Sequence, residues 1–284
     1  MADSRQTVFV VGLGLMGASL GVGLGHTGRW CVTGWDRDPA KASAALAAAA
    51  IERVMDGFAA GVEQADLIVL ATPILSIVAY IEELQRMAAH DAVIMDVGST
   101  KRRICAAMEK LSPGWEAIGG HPMTGMLTAG TAGADADLYR GKRFVLTPTA
   151  RTGARAADIA ARVLDDLGAL PVRMSPEAHD RAVALISHLP HYLGSPLLSA
   201  TAELGQAEAW TLAAGGFRGA VGHAVDNPAM WIDIALTNGD FIADALRALG
   251  RHSAALAEAM AAGDETALRA MAEQARVLHD QRLD

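Results

Sequence analysis

The sequence predicts an α/β protein in which a doubly wound parallel sheet is followed by an all-helical domain. Three observations predict it. Short apolar strands alternate with helices up to about Arg173. A glycine-rich turn joins the first strand to the first helix, and after Ser175 the strand signals stop and alanine- and leucine-rich helical sequence runs to the end.

In chain order the strand candidates are Thr7 to Val11, Cys31 to Trp35, Leu67 to Ala71, Ala92 to Val97, Ala117 to Gly119 and Phe144 to Thr147, with Leu170 to Arg173 as an edge strand. Between them Met16 to His26, Pro39 to Ala49, Ile74 to Ala89, Lys101 to Leu111 and Ala154 to Leu167 read as helices. Short β-α-β connections impose right-handed crossovers, so a doubly wound topology is the economical one. A boundary near Pro176 divides residues 1–174, a dinucleotide-binding domain, from 175–284, a helical substrate and dimerisation domain. Breaks at Pro190, Pro196, Gly215-Gly216 and Asn227-Pro228 divide the second part into five or six helices. Its apolar content exceeds what a small bundle can hide, which predicts a homodimer formed through this domain.

Composition narrows the function. With 51% hydrophobic and 20% charged residues the 284-residue chain is globular, and its net charge of −8 is scattered, with no basic run to meet nucleic acid or an anionic membrane. Cys31 and Cys105 are too few for a disulfide framework and lack metal-binding spacing, which suits a reducing cytoplasm. The uncharged stretch from Val8 to Gly25 is long enough for a membrane segment, but its six glycines fit a phosphate-binding turn feeding a closely packed helix.

That turn, Gly12-Leu13-Gly14-Leu15-Met16-Gly17, carries the Rossmann-type pattern in its proper setting of strand, turn and helix. Gly12 permits the tight turn, Gly14 lets backbone approach a pyrophosphate, and Gly17 lets the helix lie close on the strand. Amide groups at the helix start then face the diphosphate. Asp36 ends the second strand, where a carboxylate accepts the ribose hydroxyls and disfavours a 2′-phosphate. It argues for NAD, while the adjacent Arg37 leaves NADP open. Thr72 and Pro73, after another strand, are expected to flank the cofactor; a plain strand-ending turn would leave the same signature.

Further segments stand where a doubly wound sheet places its chemistry: Asp96-Val97-Gly98-Ser99-Thr100-Lys101 and Gly119-Gly120-His121-Pro122-Met123-Thr124-Gly125. His179-Asp180-Arg181 and Ser187-His188-Leu189-Pro190-His191 follow, then Gly215-Gly216-Phe217 and Asn227-Pro228-Ala229-Met230-Trp231. Through these motifs, in this order, nearly the whole chain resembles the prephenate and arogenate dehydrogenases of tyrosine biosynthesis.

The resemblance implies oxidation of a small cyclohexadienol, with hydride passing to nicotinamide while the ring loses carbon dioxide and becomes aromatic. It implies that His121 bonds the ring hydroxyl and that Ser99 holds the imidazole in place. It also places Ser187 and His191 toward the substrate, with His191 meeting a carboxylate, Asp180 in an ionic network and Trp231 along the pocket. The chemistry suits these types: a hydroxyl proton must leave toward a base titrating near neutrality, held in one tautomer. His188 and His191, three apart, share a helix face beginning near Pro190; a zinc pair lacks a third ligand in spacing, so no metal is expected.

Two positions depart from the family, Leu127 in place of an acid and Gly222 in place of an arginine that clamps a substrate carboxylate. Arg218 and His223 are the nearest replacements. A modified prephenate such as the 4-amino-4-deoxy analogue therefore stays open as substrate, and a non-catalytic dinucleotide-binding regulator is the reading from another class. The β-hydroxyacid dehydrogenases share the outline but use a lysine in the helical domain, whereas the last lysine here is Lys142.

Overall fold

The structure is a computed structural model that describes residues 5–124, 133–205, 207–222 and 227–282. Eight strands form one sheet: β1 (Gln6–Val11), β2 (Trp30–Trp35), β3 (Arg53–Val54), β4 (Leu67–Leu70), β5 (Val93–Asp96), β6 (Glu116–Pro122), β7 (Arg143–Pro148) and β8 (Leu170–Arg173). Their order is β3-β2-β1-β4-β5-β6-β7-β8. Helices α1 (Leu15–Gly25), α2 (Pro39–Ala47), α3 (Phe58–Val62), α4 (Ile74–Leu84), α5 (Arg102–Glu109) and α6 (Ala154–Asp166) intersperse the strands.

Alternation along β1 sends side chains to two cores. Val8 and Val10 join Leu20 and Leu24 of α1 and Ile159 and Val163 of α6 on one face. Phe9 and Val11 join Ile77 and Ile81 of α4 and Ile104 and Met108 of α5 on the other. Parallel central strands buried on both faces read as continuous apolar runs, as in the four-residue LIVL of β4.

The sheet departs from all-parallel at one place: β6 pairs antiparallel with β7, and β8 follows β7 in parallel. No α-helix stands between β6 and β7 among the described residues. A strand that returns beside its predecessor without a crossover helix runs antiparallel to it. The sequence reading also passed over β3 and α3, which have two and five residues.

The remaining chain is helical: α7 (Pro176–Val183), a π-helical segment (Ala184–His188), α8 (Leu189–Leu204), α9 (Ala207–Thr211), α10 (Gly215–Val221), α11 (Pro228–Ala262) and α12 (Glu265–Arg282). Pro190 stands in the first turn of α8, but Pro196 lies inside it and does not break it. Packing of α8 against α10 and α11 holds the helix together across the missing amide.

Helix α11 locks this unit to the sheet. Ile234 and Ile242 are buried in the second core, and Asp233 Oδ2 accepts the Leu75 amide in the first turn of α4 at 3.1 Å. The helix kinks at Asn238, a buried residue with non-helical backbone angles, φ −137° and ψ 17°. Among the described residues no helix is long and apolar enough to cross a membrane.

Candidate active site

The parallel strands deliver their carboxyl ends to one edge, and the predicted cofactor residues gather there. Gly12 follows β1 with φ +94°, where a side chain would also meet Ala71 O and Thr72 Cγ2. A Cβ on Gly17 would lie 2.0 Å from Gly12 O, so α1 approaches β1 as closely as it does only because both residues are glycines. Gly14 caps α1, and a Cβ there would meet nothing within 4 Å. Leu13 is buried, and its amide donates to Asp36 Oδ2 at 2.9 Å, which fixes the carboxylate beside the turn. Leu15 and Met16 pack on the first core, and Met16 O accepts from Tyr139 Oη at 2.6 Å.

Arg37 is exposed, and Pro73 caps α4. Thr72 Oγ1 is buried with no hydrogen-bond partner among the described residues. An open cradle before a helix, a carboxylate pinned beside it and an unsatisfied hydroxyl fit a dinucleotide better than a purely structural turn.

At the same edge His121 emerges near the end of β6, partly exposed. Its Nδ1 lies 2.8 Å from Nε2 of His179 in α7, and His179 Nδ1 lies 2.7 Å from Asp180 Oδ1. Ser99, expected to hold the imidazole, stands partly buried in the bend after β5, and among the described residues His179 is a hydrogen-bond partner of His121. Burial first, then the neighbouring His179, Lys101 and His188, hold His121 well below the ordinary histidine range.

Asp180 is fully buried. It accepts the amides of Lys101 at 2.6 Å and Arg102 at 2.9 Å, so it caps α5 from α7, and it also meets the Arg102 guanidinium. Burial alone would raise its carboxyl, but the hydrogen bonds from His179, Arg102 and Lys101 outweigh that and lower it. Lys101 is fully buried too; its ammonium pairs with Asp96 and donates to Gly120 O at 2.6 Å. Asp96 in turn accepts the amides of Gly98 and Gly120. This pair therefore braces the strand segment that carries His121.

The other histidines form a second layer. Ser187 and His188 lie in the π-helical segment, an irregularity frequent at functional sites. His188 Nδ1 accepts from Asn238 Nδ2 at 3.2 Å, while Asn238 Oδ1 accepts from Arg102. Burial is the main cause that pushes His188 down to about 4. His191 stacks on Trp231, ring centroids 3.4 Å apart and planes within 7°, and His188 meets the same indole edge-on. Among the described residues no group of three or more His, Cys, Asp or Glu is arranged to hold a metal.

Arg218 is exposed on α10, where its Nε donates to Ala213 O at 3.1 Å, and among the described residues no hydrogen bond or ring contact joins it to a histidine. Gly222 is exposed, and Leu127, Gly125 and His223 lie outside the described residues. Sequence reasoning missed the role of His179 and the buried Lys101–Asp96 pair. The adjacency of His179 and Asp180 was the one available signal for the first.

Residues 23–172 match the nucleotide-binding domain of prephenate dehydrogenase, and residues 175–274 match its dimerization domain. The chain belongs to the prephenate dehydrogenase family. Within the family it is similar to the prephenate dehydrogenase of Bacillus subtilis, with 35% identity over 250 residues that span 86% of this chain and 67% of that protein. The solved prephenate dehydrogenase from A. aeolicus, in complex with hydroxyphenyl propionate and NAD+, superimposes with a TM-score of 0.90 at 27% identity over the whole of both chains. A Synechocystis arogenate dehydrogenase superimposes with a TM-score of 0.83 at 29% identity, covering 97% of this chain and 99% of that one. As a member of this family the protein is an oxidoreductase.

Proposed function

We propose that this protein oxidises and decarboxylates prephenate or arogenate with NAD as the hydride acceptor, and that His121 is the base. One observation carries the reading: an imidazole stands at the carboxyl edge of the sheet with Nδ1 engaged and Nε2 without a protein partner among the described residues. The family membership and the neighbour bound to hydroxyphenyl propionate and NAD+ support the substrate and cofactor class.

In this reading Gly12, Leu13, Gly14, Leu15, Met16 and Gly17 cradle the pyrophosphate, Asp36 takes the ribose hydroxyls, and Thr72 and Pro73 flank the cofactor. Arg37 stays the residue through which NADP enters. The nicotinamide, when bound, supplies the hydride acceptor. His121 Nε2 takes the ring hydroxyl proton as the carbinol C–H bond breaks, so the carbinol oxygen keeps the O–H electron pair. The ring carboxylate leaves as carbon dioxide, its bonding electrons complete the aromatic ring, and the phenol oxygen recovers a proton. Ser187, His188, His191 and Trp231 wall the substrate, with His191 facing a carboxylate, and Ser99 lines the site beside the base.

Residues 1–174 act as the dinucleotide-binding unit and residues 175–284 as the helical unit through which two copies form a homodimer. The match to a dimerization domain and the exposed Ile186, Leu212, Ile232 and Leu236 support the homodimer. The two free cysteines fit a cytoplasmic protein.

The test is a substrate panel of prephenate, arogenate and 4-amino-4-deoxyprephenate, each with NAD and with NADP, read by the absorbance of reduced nicotinamide. Turnover of prephenate or arogenate with NAD is expected. Turnover of the amino analogue alone would move the assignment to a modified substrate.

A further inference from the structure

The chain of hydrogen bonds behind His121 dictates which of its nitrogens carries the proton. Asp180 accepts backbone amides on both carboxylate oxygens, Lys101 on Oδ1 and Arg102 on Oδ2. A backbone amide only donates, so both oxygens act as acceptors, and His179 Nδ1, 2.7 Å from Oδ1, is the donor of that bond. Neutral His179 then has a lone pair on Nε2. His121 Nδ1, 2.8 Å away, must supply the proton to it. His121 Nε2 is left bare, as a base requires.

Free histidine favours the other tautomer, with the proton on Nε2. We propose that His179, anchored by Asp180, is the positioning residue of the reaction and holds His121 in the Nδ1–H form. The proposal rests on the reading of His121 as the base. Other groups around His121 are already committed: the Lys101 ammonium to Asp96 and Gly120, His188 to Asn238, Asp180 to α5. His179 is therefore the partner that sets the tautomer.

The test joins nitrogen NMR of the ligand-free, full-length protein with kinetics of three forms. In the unmodified protein His121 is expected to show a protonated Nδ1 and a bare Nε2. In His179→Asn the amide still reaches Asp180 but not His121. The Nε2–H tautomer should then take over and kcat should fall by about 100-fold, with KM values for prephenate and NAD within about twofold. In His179→Gln an amide oxygen at the former Nε2 position accepts from His121 Nδ1 and should restore part of kcat.

An Nε2–H tautomer of His121 in the unmodified protein would overturn the proposal even if neither variant folds. So would an unchanged tautomer in His179→Asn. A tautomer that flips while kcat holds would instead overturn the reading of His121 as the base, and the positioning role with it.

Discussion

The dinucleotide turn and the imidazole cluster share one edge of the sheet but are built from different material. The turn is backbone: two glycines let α1 close on β1, and one carboxylate 23 residues further along the sequence pins it. The cluster is side chain: β6 supplies His121, α7 supplies His179 and Asp180, the π-helical segment supplies His188, and the kink of α11 supplies Asn238. A backbone device is more sensitive to a change in shape than to a change in charge that leaves the turn intact. A side-chain device depends on every partner keeping its proton in place.

The largest effect that sharpens this contrast is expected at Asp180. Asp180→Ala leaves two amides of α5 and a buried imidazole without an acceptor, and should cost about 3–5 kcal/mol in denaturant unfolding. A loss under 1 kcal/mol would show that α5 does not depend on its cap from α7. Next comes Gly17→Ala, which forces a Cβ against Gly12 O and should weaken NAD binding by about 3 kcal/mol, or ~100-fold, by calorimetry. Gly17→Ala with native affinity would mean that the turn can open without loss.

Acid stability probes the cluster alone. His188 stays neutral in the fold down to about 4, whereas the unfolded chain takes up a proton near 6.5. Between those values the unfolded state binds more protons, so stability falls as pH drops, by about 2 kcal/mol from pH 7 to pH 5. His188→Gln should remove that share of the slope; an unchanged slope would place the acid sensitivity elsewhere. The smallest effect is expected at Asp36. Asp36→Asn keeps an acceptor for the Leu13 amide but removes the charge, which should weaken NAD by about 1 kcal/mol and narrow its advantage over NADP in KM.

The same contrast explains what could be read in advance. The turn was legible because its residues are consecutive and each has a local job, and Asp36 ends the next strand. The buried strands were legible from apolar runs bounded by polar turns. β3 and α3 escaped because two and five residues are too few to show a period. The antiparallel β7 escaped because strand direction depends on the path of a connection, which composition does not encode.

At the site, His121 and Asp180 were recognisable through motifs. The partnership with His179 joins residues 58 apart in sequence, and the burial of Lys101 depends on Asp96 and Gly120 closing around it. No pattern within a single element contains either fact. Pro196 shows the same override, since tertiary packing keeps a helix going where local chemistry reads a break.

The most direct measurement of the central claim is turnover of prephenate by His121→Asn, with NAD affinity measured alongside. The geometry predicts a kcat lower by about 10²- to 10⁴-fold with NAD affinity unchanged, and an acid limb in the unmodified enzyme below the ordinary histidine range. Undiminished kcat in His121→Asn would contradict it.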